Sequence, residues 1–536
     1  MFAFCTIFYT NIIQNFYLMS NFCYYLSRIE VAIIMKKQRV CIIGAGISGL
    51  MAGALLVREG HTVSIFEKAV TVGGSAGWYA RKNRMYPTGA TIAFGLESGG
   101  MLHRLLNRVG AFEKLKIRTL THPMDVLLPD RRIAISLDEQ QWYAELSRVF
   151  HERADDVLRF WRKLKQISLA VEGVTSTEVA LPIRSFVDVG NLPTHLLRHL
   201  GQTALLARYA LVTVEHLLRQ YRLHDYAPFR TFLNAQLVDA AQTDIRHAAL
   251  LPSAVALDIY RRGSFSIEGG LASISKALAE VIAEAGGAIY TANTVKKCVL
   301  GKYNGRDVWR VESAKRADEC DVLLNASGLS LTSIDGSAFQ LQADRNETWS
   351  EQWGAFRIDA ILNDVRIEEP LPFAWQIVPN PEHSQLFGDE FGPVYFTMHE
   401  SRDANGDVVA GEVMLTASVH TSLQQWRGLD KVSYLQRKQA FTDAILNEFA
   451  KVIPHAKECL QTLYSGSPMT YDKFIGKFSV GGRPLTVKHA MRSPKGYRTA
   501  IDSLFLAGEQ VFPGPGTLSC ALSGFYAARA IIKRFK

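Results

Sequence analysis

The four residues Val40-Cys-Ile-Ile43 form an unbroken apolar run behind the basic stretch Lys36-Lys-Gln-Arg39, and such a run predicts a short strand buried on both faces. Helical periodicity over 47–59 follows at once, Gly60 and His61 end it, and alternation over 62–66 predicts a second strand. The pattern is helical from 151 to about 226. A well-patterned helix over 271–285 then leads through Gly286 and Gly287 into a short strand over 288–291, and 320–328 is a further buried strand ending in small residues. Alternating runs at 374–378, 394–399 and 411–419 predict an antiparallel sheet, and a helix is expected over 435–449. The chain closes with a buried strand over 503–507 and a helix over 517–532. Strand–helix–strand units at both ends and in the middle make this an α/β chain with no internal repeat.

Length and composition narrow the class. A chain of 536 residues that is 48% hydrophobic can bury a large core, in two or three lobes. Charged residues make up 21% and form no long like-charge block, which excludes dominant disorder. The net charge of +9 favours an anionic ligand or surface without choosing between phosphate cofactor, lipid headgroup and nucleic acid. The seven cysteines are scattered with no CxxC pair, so neither a disulfide framework nor a zinc site follows and a reducing cytoplasm fits; Cys41 and Cys520 read as small buried hydrophobes. Residues 1–34 are rich in Phe, Tyr, Ile and Asn and contain no lysine. They lack the basic region and cleavage site of a secretory signal, and polar residues such as Asn11 and Gln14 interrupt any span. Translation from Met35 is the first reading of this segment and a hydrophobic anchor the second.

Gly44, Gly46 and Gly49 stand in GxGxxG spacing between the first strand and its helix, with Ile47 and Ser48 opening that helix. The first glycine permits the tight turn, the second a close approach of backbone to a pyrophosphate, and the third close packing of helix on strand. The helix N-terminus then points at the phosphates. Glu67 ends the second strand, where a carboxylate can bond the hydroxyls of an adenosine ribose and would repel a 2'-phosphate. FAD or NAD is thereby favoured over NADP.

After Glu67 come Lys68 and Val72-Gly-Gly-Ser75, then Tyr86-Pro-Thr-Gly-Ala90. Near the C-terminus Leu504-Phe-Leu-Ala-Gly-Glu509 precedes Pro513-Gly-Pro-Gly516, Thr517 and, further on, Ser523-Gly524. Together these segments resemble the phytoene desaturase and carotenoid isomerase family of FAD-dependent oxidoreductases, within the amine oxidase superfamily. Ser467-Pro-Met-Thr-Tyr471 and Val480-Gly-Gly482 are similar to segments that precede the last motif in that family, and Glu509 stands where many members carry Asp. The resemblance runs from Val40 to the C-terminus and is loose in the middle third. It implies a Rossmann-like FAD-binding domain assembled from separated segments, with a substrate domain of antiparallel sheet plus a helical lid. FAD would lie against Gly44, Gly46, Ile47, Ser48, Gly49, Glu67, Lys68, Gly74 and Ser75. Val295 would meet the adenine through its backbone, and Gly508, Glu509, Gly516 and Thr517 would serve the flavin half. The implied segments are 35–120, 251–335 and 471–536 for FAD, 121–250 for the lid and 336–470 for the substrate, with 1–34 outside the fold.

The resemblance further implies a long acyclic polyene as substrate, either desaturated or isomerised, and a cytoplasmic protein peripheral to a membrane; a nucleic-acid partner is not expected, and oligomeric state stays open. A basic amphipathic helix carrying Arg208, Glu215, Arg219 and Arg222 on one face would suit an anionic bilayer, or equally a solvated face of the lid. No acid–base pair stands out. His122, Arg230, His399, Lys473 and Lys477 are candidates by residue type, each with a structural role as the more frequent outcome. HExxH, GxSxG and P-loop patterns are missing, and no metal site is expected. An amine or other small-molecule oxidase, or a flavin-binding protein without turnover, stays open as an alternative.

Overall fold

A computed structural model describes residues 37–89, 91–342, 353–365, 371–380, 392–475, 479 and 481–535. The segment 1–34 with its two readings, Ala90, Lys477 and Val480 lie outside the described residues.

Five parallel strands form the nucleotide layer: β1 (Arg39–Ile43), β2 (Thr62–Phe66), β3 (Ala288–Tyr290), β4 (Val322–Asn325) and β5 (Leu504–Leu506). They run in the order β3-β2-β1-β4-β5, so strands from three distant parts of the chain share one sheet. The continuous apolar run of β1 has the expected physical cause. Val40 and Ile42 pack with helices α1 (Ile47–Arg58), α2 (Ala272–Glu284) and α3 (Thr517–Arg534), while Cys41 and Ile43 pack on the opposite face. That opposite face is covered by a second sheet built from the segment 295–342, all of it antiparallel, whose Cys298, Trp309, Val311 and Phe339 point into the shared core. Cys41 is buried as expected, whereas Cys520 is half-buried.

The third sheet has seven strands, ordered Leu460–Gly466, Trp353–Asn363, Val408–Ser422, Val394–Arg402, Ala374–Ile377, Met124–Leu127 and Arg132–Ile135. The expected antiparallel runs are there, extended at both ends, and one parallel pairing joins Ala374–Ile377 to Met124–Leu127. The helix Lys431–Ala450 covers one face, capped by Asp430, whose carboxylate accepts from Val432 N and Ser433 N. Helices between Glu139 and Asp258 form a separate aromatic core, in which Arg261 lies 4.6 Å from the Trp142 ring and 5.2 Å from the Trp161 ring.

One expectation fails here. Arg208, Glu215, Arg219 and Arg222 do not share a helix: one helix ends at Tyr209, and the next spans Val214–Gln220. Between them the chain is extended, with Val214 N donating to Ala248 O (3.1 Å) and Leu250 N to Val212 O (2.9 Å). Val212, Thr213 and Val214 are β-branched, and this long-range pairing outcompetes another helical turn. Arg222 lies beyond the second helix at φ +57°, and Glu215 is engaged by Arg219 (3.1 Å) and Arg230 (2.8 Å).

Candidate cofactor and substrate site

The loops that leave β1, β2, β4 and β5 all open at the same edge of the parallel sheet, the carboxyl edge at which α/β sheets bind ligands. After β1, Gly44 has φ +100°, and a Cβ there would lie 2.8 Å from Ala326 O. A Cβ on Gly49 would fall 3.2 Å from the Gly44 carbonyl carbon and closer still to its oxygen, so helix and strand touch backbone to backbone. Gly46 differs: nothing lies within 4 Å of its missing Cβ, and no side chain caps α1 there. Ile47 and Ser48 are buried in the first turn. The amides at the start of α1 therefore face an open cradle, which suits an anionic diphosphate.

Glu67 is held across this turn. Its Oε2 accepts from Ala45 N at 2.7 Å and its Oε1 from Ala69 N at 2.8 Å, and each oxygen keeps a lone pair for a hydroxyl. Lys68 is exposed. Gly73 N donates to Ala45 O (2.8 Å), which sets the exposed Gly74 and Ser75 beside Gly46. Val295 lies on the Glu67 side, since Asn293 N donates to Glu67 O (2.8 Å) and Ala292 N to Ala69 O (2.7 Å).

The C-terminal glycines close the other end. Gly508 leaves β5 at φ +120° and donates its N–H to Ser523 Oγ (3.1 Å) on α3. Glu509 packs under Gly482, whose Cβ would meet Glu509 O at 2.5 Å. Gly516 (φ +98°) precedes α3 with open space around it and no side-chain cap, and Thr517 begins the helix. Helices α3 and α1 touch where a Cβ on Gly524 would fall 2.9 Å from the Ser48 carbonyl carbon. The uncapped start of α1 thus packs on α3 seven residues, about 10 Å, from the uncapped start of α3, a spacing that an extended ligand with an anionic centre can bridge.

Comparison with known proteins agrees with this geometry. The family model for an NAD(P)-binding Rossmann-like domain matches residues 42–109. Prolycopene isomerase 1, chloroplastic, of an Oncidium hybrid cultivar is 23% identical over 92% of this chain and 84% of its own length. A 4,4'-diapophytoene desaturase of Methylomonas sp is 26% identical over 54% of each chain. The chain is thus similar to prolycopene isomerases along most of its length and to a diapophytoene desaturase over about half of it. Among solved structures, cyclohexylamine oxidase from Brevibacterium oxydans superposes with a TM-score of 0.55 at 15% identity, covering 93% of this chain and 99% of that one, a likeness of fold.

The protein is an oxidoreductase, and its ionisable side chains can be weighed in that light. His122 sits on Asp125 (2.7 Å), which also accepts from Arg132 Nε (2.9 Å), and Arg230 is tied to Glu215. Lys473 is exposed on its helix. His399 is enclosed in the seven-stranded sheet against Thr397 Oγ1 (2.9 Å); burial, then the nearby Arg357 charge, pushes it down to about 4. None of these is brought to the glycine cradle.

A different group is, and reading the sequence missed it. Arg357, 7% exposed, donates through Nε to Asp359 Oδ1 (2.9 Å) and through Nη1 to Gly89 O (3.0 Å). Gly89 packs on Ser75, and Tyr79 donates to Asp359 Oδ2 (2.8 Å). Burial works against the guanidinium charge, and Asp359 more than offsets it. This pair joins the seven-stranded sheet to the loop that follows the cradle. The signal was present: Arg357 and Asp359 are two charges of opposite sign, two residues apart, in an otherwise apolar strand. Among the described residues no cluster of His, Cys, Asp or Glu could hold a metal.

Proposed function

We propose that this enzyme binds FAD and acts on a long acyclic polyene as a carotenoid isomerase or desaturase at a membrane surface facing the cytoplasm. The observation that carries the cofactor assignment is the pair of open, uncapped glycine starts at Gly46 and Gly516, joined by the contact of α1 with α3. Such a pair suits a diphosphate at one helix and an electron-accepting ring at the other. Gly44, Gly46, Ile47, Ser48 and Gly49 take the pyrophosphate, Glu67 the ribose, and Lys68 the rim beside it. Gly74 and Ser75 lie along the cofactor, and Val295 backs the adenine. Gly508, Glu509, Gly516 and Thr517 serve the flavin half. Bound FAD would supply the redox centre through which hydrogens leave the substrate or a double bond changes geometry. The protein's part is to hold that centre against the seven-stranded sheet, with Arg357 fixing Gly89 next to Ser75.

The match to prolycopene isomerases along most of the chain puts isomerisation ahead of desaturation. The test is a pigment profile, by liquid chromatography with mass detection, of cells that accumulate acyclic carotenes and express this chain or its Gly46→Trp variant. An isomerase yields a product of equal mass and altered retention, a desaturase one lighter by pairs of hydrogens, and the variant yields neither. An unchanged profile with folded, flavin-loaded protein refutes the polyene assignment and leaves an amine or other small-molecule oxidase.

A further inference from the structure

The seven-stranded sheet packs Leu415, Ala417 and Val419 against the helix Lys431–Ala450, so strand alternation turns Thr416, Ser418 and His420 to the opposite face. Tyr395 and Gln376 stand on that face too, in one row with Ser418. The helix Ala227–Ala241 packs over this row: Gln236 bonds Gln376, and Gln376 Nε2 donates to Ala235 O (2.8 Å). Asp239, three residues on, shares the Gln236 side of the helix. Gly392 marks how closely this turn approaches the sheet, since a Cβ there would lie 3.2 Å from Val238 Cγ1 and 3.5 Å from His420 Cβ.

Among the described residues Asp239 is the only charged group acting on His420, and His420 the only one acting on Asp239, yet no hydrogen bond joins them or holds either side chain elsewhere. Asp239 is exposed and His420 half-buried, but the surrounding protein desolvates both, pushing the carboxyl up and the imidazole down, and each damps the other's shift. Groups that are accessible and still desolvated line an enclosed space rather than bulk water. Two chains of contacts tie this pair to the flavin half of the cofactor site. Gln242 Nε2 donates to Asp239 O (2.9 Å), a Cβ on Gly481 would meet the Gln242 amide group, and Gly482 rests on Glu509. Asp239 also acts on Tyr395, which bonds Tyr260; the Tyr260 ring lies 5.2 Å from Phe94, and a Cβ on Gly95 would fall 3.3 Å from Leu518 Cδ2 in the first turn of α3.

We propose that Asp239 and His420 bind a hydroxyl at the end of the substrate chain, so that the preferred substrate is a polyene alcohol rather than a hydrocarbon. An acid and an imidazole without partners in an enclosed space are costly unless a ligand satisfies them. A hydroxyl donates one hydrogen bond and accepts others, which matches a pair made of one acid and one base. A hydrocarbon end satisfies neither group, and a carbonyl can only accept. An ammonium would satisfy Asp239, leave His420 without a donor to accept or an acceptor to reach, and enter a protein of net charge +9 against its field. The proposal rests on the polyene reading for the nature of the chain, and on Asp239 and His420 alone for the hydroxyl.

The test equilibrates the flavin-loaded full chain, in detergent micelles, with an equal mixture of lycopene and 1-hydroxylycopene, re-isolates the protein and quantifies the retained pigments by liquid chromatography. A site that hydrogen-bonds a hydroxyl rejects the analogue lacking it, so the hydroxylated pigment is retained in at least about ten-fold excess. Asp239→Leu/His420→Leu brings that ratio to about one and leaves the thermal midpoint at the parent value or above, because two unpartnered polar groups leave an enclosed space. Asp239→Asn keeps a donor and an acceptor and retains most of the preference. Should the double variant not fold, Asp239→Ala and His420→Ala must each lower the ratio by about three-fold or more. Equal retention of both pigments by the parent, or a ratio that these substitutions leave unchanged, overturns the hydroxyl site and keeps the polyene reading. Hexadecan-1-ol, hexadecane and hexadecylamine separate the two: retention of the alcohol over the alkane with neither pigment held refutes the polyene and keeps the hydroxyl site, whereas retention of the amine ahead of the alcohol overturns the hydroxyl assignment.

Discussion

Gly524→Ala tests whether the two ends of the chain must touch to make the cofactor site. The added methyl would lie 2.9 Å from the Ser48 carbonyl carbon, 3.1 Å from Ser48 Cα, and nearer still to the carbonyl oxygen. All three are backbone atoms of α1, so no rotamer change can relieve the clash. Restoring ordinary contact requires α1 and α3 to part by about 1 Å, and overpacking of this kind costs about 1–3 kcal/mol. The gain in helix propensity from Gly to Ala, about 1 kcal/mol, is too small to reverse the upper part of that range. Because Ser48 lies in the first turn of α1, one residue before Gly49, the same displacement moves the start of α1 away from α3, which begins at Thr517. Urea unfolding of the apoprotein should therefore show a loss of up to about 2 kcal/mol, and flavin titration a weaker dissociation constant. Gly201→Ala is the control, since nothing lies within 4 Å of its missing Cβ inside a helix, and it should leave stability equal or raised. Equal stability and equal flavin affinity for Gly524→Ala would refute the argument that this contact sets the spacing of the helices.

Arg357→Met leaves Asp359 buried with only Tyr79 as a partner and should cost about 3–5 kcal/mol in denaturant unfolding, whereas Arg357→Met/Asp359→Leu should recover most of that loss. His399 is pushed down to about 4 by burial, so the unfolded chain binds its proton first as pH falls from about 6.5; stability is retained above that pH and lost progressively toward 4. His399→Gln should flatten this acid limb in unfolding midpoints measured between pH 7 and 4, and an unchanged limb would contradict the assignment. Gly46→Trp fills the open cradle, so flavin binding should vanish while the apoprotein's thermal midpoint stays within a few degrees of the parent.

The elements that local chemistry specifies were readable along the chain. Val40 to Ile43 is apolar throughout because it is covered on both faces, and Gly44, Gly46 and Gly49 announce a backbone approach that a Cβ would block. The strand at Leu504–Leu506 and the glycines after it were readable for the same reason, and so was the alternation of the antiparallel sheet. What required tertiary structure was every feature that depends on which distant residues meet. Periodicity counted straight through residues 208–222 suggested one basic helix, but Val212 to Val214 pair with Ala248 and Leu250, and that contact is invisible to a local count. Arg357 and Asp359 became a clamp on the cofactor loop only once the strand Trp353–Asn363 lay beside Gly89. Backbone conformation and burial pattern are properties of neighbouring residues and can be read in order, whereas electrostatic and packing partners are set by sheet order and helix contacts, which only the folded chain decides.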